Sequence, residues 1–348
     1  MHPERPCVSA SLDPVLEGFT ALLVVVVALA VLFDYINGFH DTANAIATSV
    51  STRALRPEQA ILLSATANFV GALTGTAVAQ TIASGLAETP AGDAGQIIVA
   101  AALVGAITWN LITWRFGIPS SSSHAIIGGL LGAVIVGVGT QAIIVDGVVN
   151  KVLIPLVASP FIGVVGGFVF MVVLLNVFRR AHPQRLNANF RRLQILSATF
   201  MAFSHGSNDA QKTMGIITLA LLAEGVIPEP IVPLWVIILA ATAMSLGTAA
   251  GGWRIIRTMG QRVVKLDPVH GFAAETTAAT IILGASQLGV PVSTTHVISS
   301  AIMGVGSSIR LSAVRWGVAG NIVVAWILTI PAAGAVAAIA WYLLDSLL

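Results

Sequence analysis

Long apolar stretches, separated only by short polar loops, follow one another along almost the whole of this 348-residue chain. A helix needs roughly 20 mostly apolar residues to cross the hydrocarbon core of a bilayer. Charged residues are 9% of the sequence, against about 25% in a soluble protein. The pattern excludes a soluble enzyme, a nucleic-acid-binding protein and a disordered chain, and predicts an all-α polytopic protein embedded in the lipid bilayer. The predicted segments are 16–36, 59–82, 96–113, 120–140, 153–178, 193–222, 231–251, 270–288, 293–309 and 317–346.

Basic residues are distributed unevenly among the loops. Fourteen of the 17 lysine and arginine residues fall in odd-numbered loops, whereas the even-numbered loops contain Lys151 alone. Because basic loops are retained in the cytoplasm, the odd loops are predicted to be cytoplasmic and both termini external. We therefore expect a multi-pass protein of the cell (plasma or inner) membrane. Residues 1–16 would form an external tail and residues 179–192 a basic cytoplasmic linker.

The two halves of the chain contain the same motifs in the same order. The paired motifs are 168, 172 and 176 residues apart, and each half has five apolar segments. An odd number of segments gives the halves opposite orientations, which is the inverted-repeat architecture of many secondary transporters. The predicted repeats are residues 17–178 and 193–348, with discontinuous helices and re-entrant hairpins. The matching motifs are residues 38–41 with 206–209, 65–71 with 241–247, and 117–124 with 289–296.

Two motifs, residues 37–44 and 204–212, place carboxylates inside apolar segments. A charge within a bilayer is costly, so such residues usually face a cavity or a partner. Glycine, asparagine and aspartate are poor helix formers, and their presence predicts a break in each helix. Carbonyl groups freed by a break could bind a small cation beside the carboxylates. The candidate cation-linked residues are Asp41, Asn44, Asn208 and Asp209.

A structural ion pair is the alternative interpretation of these acidic residues. Asp209 and Lys212 are three residues apart and would share one face of a helix. Asp34 and Glu275 are the other carboxylates that fall within apolar segments. Residues that could relay a proton or an ion are Lys212, His124, Glu275 and His296.

Each half also contains a proline that is followed by several hydroxyl residues and a histidine. Proline suits the first turn of a helix, so the hydroxyl groups would lie at a helix N-terminus, where backbone amides lack partners. A tetrahedral oxyanion can bind there through neutral donors. The alternative is ordinary N-capping together with hydrogen bonds between helices. The candidate substrate-binding residues are Ser121, Ser122, Ser123, Ser293, Thr294 and Thr295.

These motifs together resemble the inorganic phosphate transporter (PiT) family, and the chain is similar to its bacterial low-affinity permeases. The family has a Gly-x-Asn-Asp motif in each inverted half and paired Pro-x-Ser/Thr-x-x-His hairpins. Residues 206–209 match the first motif in full, whereas residues 38–41 have His40 in place of asparagine. The resemblance covers residues 17–345.

The resemblance implies a symporter of inorganic phosphate that works by alternating access around a site in the middle of the membrane. The hydroxyl motifs would be the tips of two re-entrant hairpins that bind phosphate. The coupling ion would be H⁺ rather than Na⁺, since the chain is as short as the bacterial members; Na⁺ would bind at Asp41 and Asp209. Glu275 resembles an acidic residue in the helix before the second tip. No cofactor and no structural metal are expected. Some relatives carry metal–phosphate complexes. A homodimer of this chain is a further open prediction.

Other functions remain open at this point. A permease for sulfate or another oxyanion would use the same motifs, because sulfate is also tetrahedral. An ion channel could have pore breaks lined by aspartate. An enzyme is not expected, because the sequence contains no nucleophile–base spacing and no metal motif such as His-Glu-x-x-His.

Overall fold

The computed structural model describes residues 20–347, which fold almost entirely into helices. The predicted external tail, residues 1–16, lies outside the described residues. The helices are α1 (Ala21–Ser51), α2 (Pro57–Ala72), α3 (Ala77–Ser84), α4 (Asp93–Phe116), α5 (Ser122–Gly137), α6 (Val145–Val148), α7 (Ile154–Val177), α8 (Pro183–Ala223), α9 (Leu234–Ala250), α10 (Trp253–Arg257), α11 (Pro268–Gln287), α12 (Thr294–Ile309) and α13 (Trp316–Asp345). The π-helical turns Val149–Leu153 and Thr258–Arg262 continue α6 and α10.

The ten predicted segments correspond one to one with helical units of the described chain, and the all-α membrane architecture is confirmed. Four units are continuous helices long and apolar enough to span a bilayer: α1, α4, α13 and the unit from α6 to α7. Two other units are bent pairs, in which α2 meets α3 at 67° and α9 meets the α10 region at 60°. Discontinuous helices therefore exist, but the breaks fall in helices other than those that contain the two acidic motifs.

The prediction of helix breaks at the acidic motifs is wrong, because α1 and α8 run through them without interruption. The motif glycines instead allow close packing. A Cβ atom on Gly38 would lie 2.4 Å from the carbonyl oxygen of Met244, and one on Gly206 would lie 2.2 Å from that of Asn68. An unpaired peptide group inside a membrane is costly, so the backbone stays helical and glycine brings two helices into contact.

Helices of the two halves pack in corresponding pairs. Helix α1 packs on α9 as α8 packs on α2, and α5 packs on α13 as α12 packs on α7. The glycines repeat this correspondence: a Cβ on Gly71 would lie 2.1 Å from the carbonyl oxygen of Phe203, and one on Gly247 2.1 Å from that of Tyr35. This pattern agrees with two repeats. From residue 183 onward, the predicted linker forms the first turns of α8.

Two apolar clusters form the core, and a polar layer separates them along α1 and α8. On α1, buried residues between 23 and 33 belong to the first cluster and those between 43 and 47 to the second. On α8 the order is reversed, with residues 201–202 in the second cluster and buried residues between 210 and 221 in the first. The fold therefore places both acidic motifs at the boundary between the two clusters.

Candidate functional site

The two hydroxyl motifs form the tips of two helical hairpins. Helices α4 and α5 make the first hairpin, and α11 and α12 make the second. Gly117 and Gly289 reverse the chain with φ values of +67° and +66°, which glycine adopts without strain. Ser121 accepts a hydrogen bond from the amide of His124 at 3.1 Å, and Ser293 accepts one from the amide of His296 at 3.2 Å. For these two serines, the capping interpretation describes the contact.

The hairpin tips meet each other inside the protein. The Ser123 hydroxyl donates to the carbonyl oxygen of Val292 at 3.2 Å. The rings of His124 and His296 lie with centroids 4.7 Å apart. The six candidate substrate-binding hydroxyl residues are each at most 2% exposed. The two hydroxyl motifs therefore lie together inside the protein, and whether their hairpins re-enter the membrane stays a prediction.

Each of the two motif aspartates holds the hairpin tip of its own half. Asp41 Oδ2 accepts a hydrogen bond from Ser122 at 2.8 Å, and Asp209 Oδ2 accepts one from Thr294 at 3.2 Å. These are corresponding positions of the two repeats, so the contact occurs twice. Oxygen atoms of both carboxylates and one ring nitrogen of His205 all lie within 4.8 Å of one another. This cluster, Asp41–His205–Asp209, could hold a small cation.

Basic groups neighbour both carboxylates, but they differ between the halves. His40 Nδ1 lies 2.6 Å from Asp41 Oδ1. The Lys212 ammonium donates to Asp209 Oδ1, and His205 Nε2 lies 3.3 Å from Asp209 Oδ2. All of these side chains are at most 2% exposed. The predicted pair of Asp209 with Lys212 is therefore present, within the cluster and not apart from it.

The two asparagines of the motifs connect α1 and α8 to the second hairpin tip. Asn44 Nδ2 donates to Thr294 Oγ1 at 3.2 Å and to Thr295 Oγ1 at 2.9 Å. Asn208 Nδ2 donates to the carbonyl oxygen of Val290 at 3.4 Å. Asn44 belongs to the first repeat and Thr294 to the second, so this contact joins the two halves.

Glu275 lies in a separate polar cluster. Its carboxylate accepts hydrogen bonds from Thr48 at 2.5 Å, from Gln194 at 3.1 Å and from Ser197. These partners belong to α1 and α8, so the cluster ties both long helices to α11. Among the hydrogen bonds of the described residues, none joins Glu275 to either motif aspartate.

The two tip histidines have polar atoms that the protein leaves unpaired. The His296 ring stacks on Trp326 with centroids 4.0 Å apart. No described residue supplies a hydrogen-bond partner to either ring nitrogen of His296 or to Nδ1 of His124. Both rings are buried beside the hydroxyl tips. These unpaired nitrogens could form hydrogen bonds to a ligand bound there.

The model of the phosphate transporter family matches residues 37–188 and 176–337, which together cover most of the chain.

The chain belongs to the phosphate transporter family.

Relatives of this transporter are known from several bacteria. Proteins of Bacillus subtilis and Rhizobium meliloti are 48% identical to it over 325 and 326 residues, which is 93% of this chain and 97% of each relative. Both are described as "probable low-affinity inorganic phosphate transporter". A solved structure titled "The sodium-dependent phosphate transporter" superposes with a TM-score of 0.88 at 27% identity, covering 94% of this chain and all of that one. The protein is thus a multi-pass membrane transporter and not an enzyme, as predicted.

Sequence reasoning missed one member of the central cluster of this transporter. His205 was not among the candidate site residues, although it lies on α8 four residues before Asp209. Residues four apart share one helix face, and that spacing was the available signal. Thr48, Gln194 and Ser197 were also missed, because only the tertiary structure brings them to Glu275.

Proposed function

We propose that this transporter carries inorganic phosphate across the cell membrane together with a cation, by alternating access. The observation that carries the proposal is the buried contact of one hydroxyl at each hairpin tip with an aspartate, Ser122 with Asp41 and Thr294 with Asp209. Hydroxyl groups at helix N-termini can bind an oxyanion, and the neighbouring carboxylates can bind a cation. The descriptions of the relatives as phosphate transporters support phosphate as the anion.

The hydrogen bonds suggest how cation and anion are coupled. A serine or threonine hydroxyl has one proton to donate, and in the structure those of Ser122 and Thr294 are directed at carboxylates. A proton or a sodium ion on Asp41 would release the Ser122 hydroxyl to donate to phosphate instead. The same cation would remove the repulsion between carboxylate and phosphate, which is strong in a buried site. Anion and cation would therefore bind together.

Access from two sides is supported by two hollows at corresponding places in the repeats. One, of about 310 Å³, is lined by neutral polar residues near the second tip, including Ser286 and Gln287. The other, of about 380 Å³, is lined by Arg115 near the first tip. Arg115 and Gln287 are 172 residues apart and so occupy equivalent positions. We place the arginine-lined hollow on the cytoplasmic side and both termini outside, in agreement with the distribution of basic residues.

Radiolabelled phosphate uptake into proteoliposomes tests this function. Uptake should accumulate phosphate under an imposed gradient of the coupling ion, with H⁺ expected to drive it better than Na⁺. Excess sulfate should compete weakly. Strong competition by sulfate would indicate a permease for sulfate or another oxyanion. Flux that does not saturate and does not accumulate phosphate would indicate a channel.

Substitution of the tip hydroxyls should weaken phosphate binding. Ser122→Ala and Thr294→Ala each remove one donor to a charged acceptor, worth about 1.5–3 kcal/mol. The apparent affinity for phosphate should then fall roughly 10- to 100-fold. Ser121→Ala is the matched control, since Ser121 caps α5 and should affect the melting temperature more than the affinity. Unchanged affinity in both tip variants would assign these hydroxyls to packing alone.

Lys212 makes the two halves unequal in cation binding. It lies 168 residues after Asn44, the same offset that relates the two aspartates. Its buried ammonium donates to Asp209, so a tethered cation already neutralises the second carboxylate. We infer that only Asp41 exchanges a cation with solution in each transport cycle.

Lys212→Asn should therefore create a second exchangeable cation site. In proteoliposomes, uptake should depend more steeply on the concentration of the coupling ion, with the Hill coefficient rising from about 1 towards 2. Lys212→Arg keeps a tethered charge and should preserve the wild-type steepness. Equal steepness in wild type and Lys212→Asn, at measurable uptake, would contradict the tethered-cation model.

A further inference from the structure

Four arginines without acidic partners line a hollow beside the tip of the first hairpin. Arg115 lies in the last turn of α4, and Arg254, Arg257 and Arg262 come from α10 and the turn after it. The hollow has a volume of about 380 Å³. Within residues 20–347, every ion pair involves histidine or lysine, so no carboxylate neutralises these guanidinium groups. A concave surface with four uncompensated positive charges attracts an anion.

Within the described residues, a hydrogen bond occupies only one of these four guanidinium groups. Arg254 donates to the carbonyl oxygen of Arg115 at 2.7 Å, and its guanidinium lies 5.0 Å from the ring centre of Trp114. Arg254 thus caps the C-terminus of α4. For Arg257 and Arg262, the described part of the chain shows neither a hydrogen bond nor an ion pair from the guanidinium group. Both are exposed and free to bind a ligand.

An apolar groove adjoins the arginine-lined hollow. This second cavity, of about 470 Å³, shares Phe116, Gly117, Thr258 and Arg262 with the hollow. It continues between α4 and α13 along apolar side chains that are open to the bilayer. Ile112 is 41% exposed and Leu328 49%. A basic hollow therefore opens into a lipid-facing groove.

We propose that the hollow is a binding site for a phosphate group, separate from the central cluster, and that its occupant is an anionic phospholipid. The arginines would bind the headgroup phosphate, because guanidinium groups match phosphate oxygens in charge and geometry. One acyl chain would lie in the groove between α4 and α13. Free inorganic phosphate has the same charge chemistry but leaves the apolar groove unfilled. Basic pockets between helices on the cytoplasmic side bind anionic headgroups in this way.

Lipid-dependent thermal stability tests the proposal independently of transport. Purified protein in neutral detergent is titrated with phosphatidylglycerol, with phosphatidylcholine and, in a separate arm, with inorganic phosphate. The variant Arg257→Gln/Arg262→Gln removes two charges that form no hydrogen bond or ion pair with described residues. Its apparent affinity for phosphatidylglycerol should fall roughly 30-fold. The control Arg179→Gln/Arg180→Gln makes the same charge change at the exposed end of α7 and should bind like wild type.

Two outcomes would overturn the lipid-binding proposal. An equal loss of phosphatidylglycerol binding in both double variants, or no preference over phosphatidylcholine in the wild type, would overturn the proposal. If only the response to inorganic phosphate depended on Arg257 and Arg262, the lipid occupant would be wrong. Arg257→Lys/Arg262→Lys retains both charges and should bind phosphatidylglycerol, which separates loss of the site from loss of the fold.

Discussion

Asp41→Asn is expected to abolish coupled phosphate uptake while leaving a folded protein in the membrane. The asparagine oxygen can still accept the hydrogen bond from Ser122, so the hairpin contact survives. The negative charge that would hold the coupling cation is lost, and uptake at equal expression should fall by roughly 100-fold or more. Glu229→Gln, which changes an exposed carboxylate in a loop, should transport normally.

Asp209→Asn should also abolish uptake, and it should destabilise the protein more than Asp41→Asn does. It leaves the Lys212 ammonium buried without its carboxylate, and breaking a buried ion pair costs about 3–5 kcal/mol. The melting temperature should therefore fall more than in Asp41→Asn. Adding Lys212→Asn to Asp209→Asn should recover much of the stability without restoring uptake. Wild-type uptake in both single variants would remove the two aspartates from the mechanism.

Gly206→Ala is expected to destabilise the folded transporter strongly. Its Cβ would lie 2.2 Å from the carbonyl oxygen of Asn68, and an α2 backbone atom cannot move aside as a flexible side chain could. Overpacking typically costs 1–3 kcal/mol and more where backbone is involved. Monodisperse protein after purification should drop by about an order of magnitude, which corresponds to about 1.4 kcal/mol or more.

Gly284→Ala is the matched control for this close contact. Gly284 also lies inside a helix, but a Cβ there would meet no atom within 4 Å. Alanine is favoured over glycine in a helix by up to about 1 kcal/mol, so this variant should be as stable as the wild type or more stable. If both variants purified equally well, the close approach of α2 and α8 would not be essential.

The sequence by itself determined the helical membrane architecture and its division into two repeats. Apolar runs that are long enough to span a bilayer fold as helices, because their peptide groups must then form hydrogen bonds within their own segment. The offsets between motifs paired Asp41 with Asp209 and Ser122 with Thr294 before any contact was known. The two contacts of these residues then proved equivalent in the structure.

Only the tertiary structure decided the role of the motif glycines and the composition of the polar clusters. Glycine has the same low helix propensity wherever it occurs, but Gly38 and Gly206 face backbone of another helix, whereas Gly284 faces open space. Glu275 likewise finds its partners on α1 and α8, far from it in the sequence. Local propensity is a property of a segment, but close approach and hydrogen bonding depend on which helices the fold brings together.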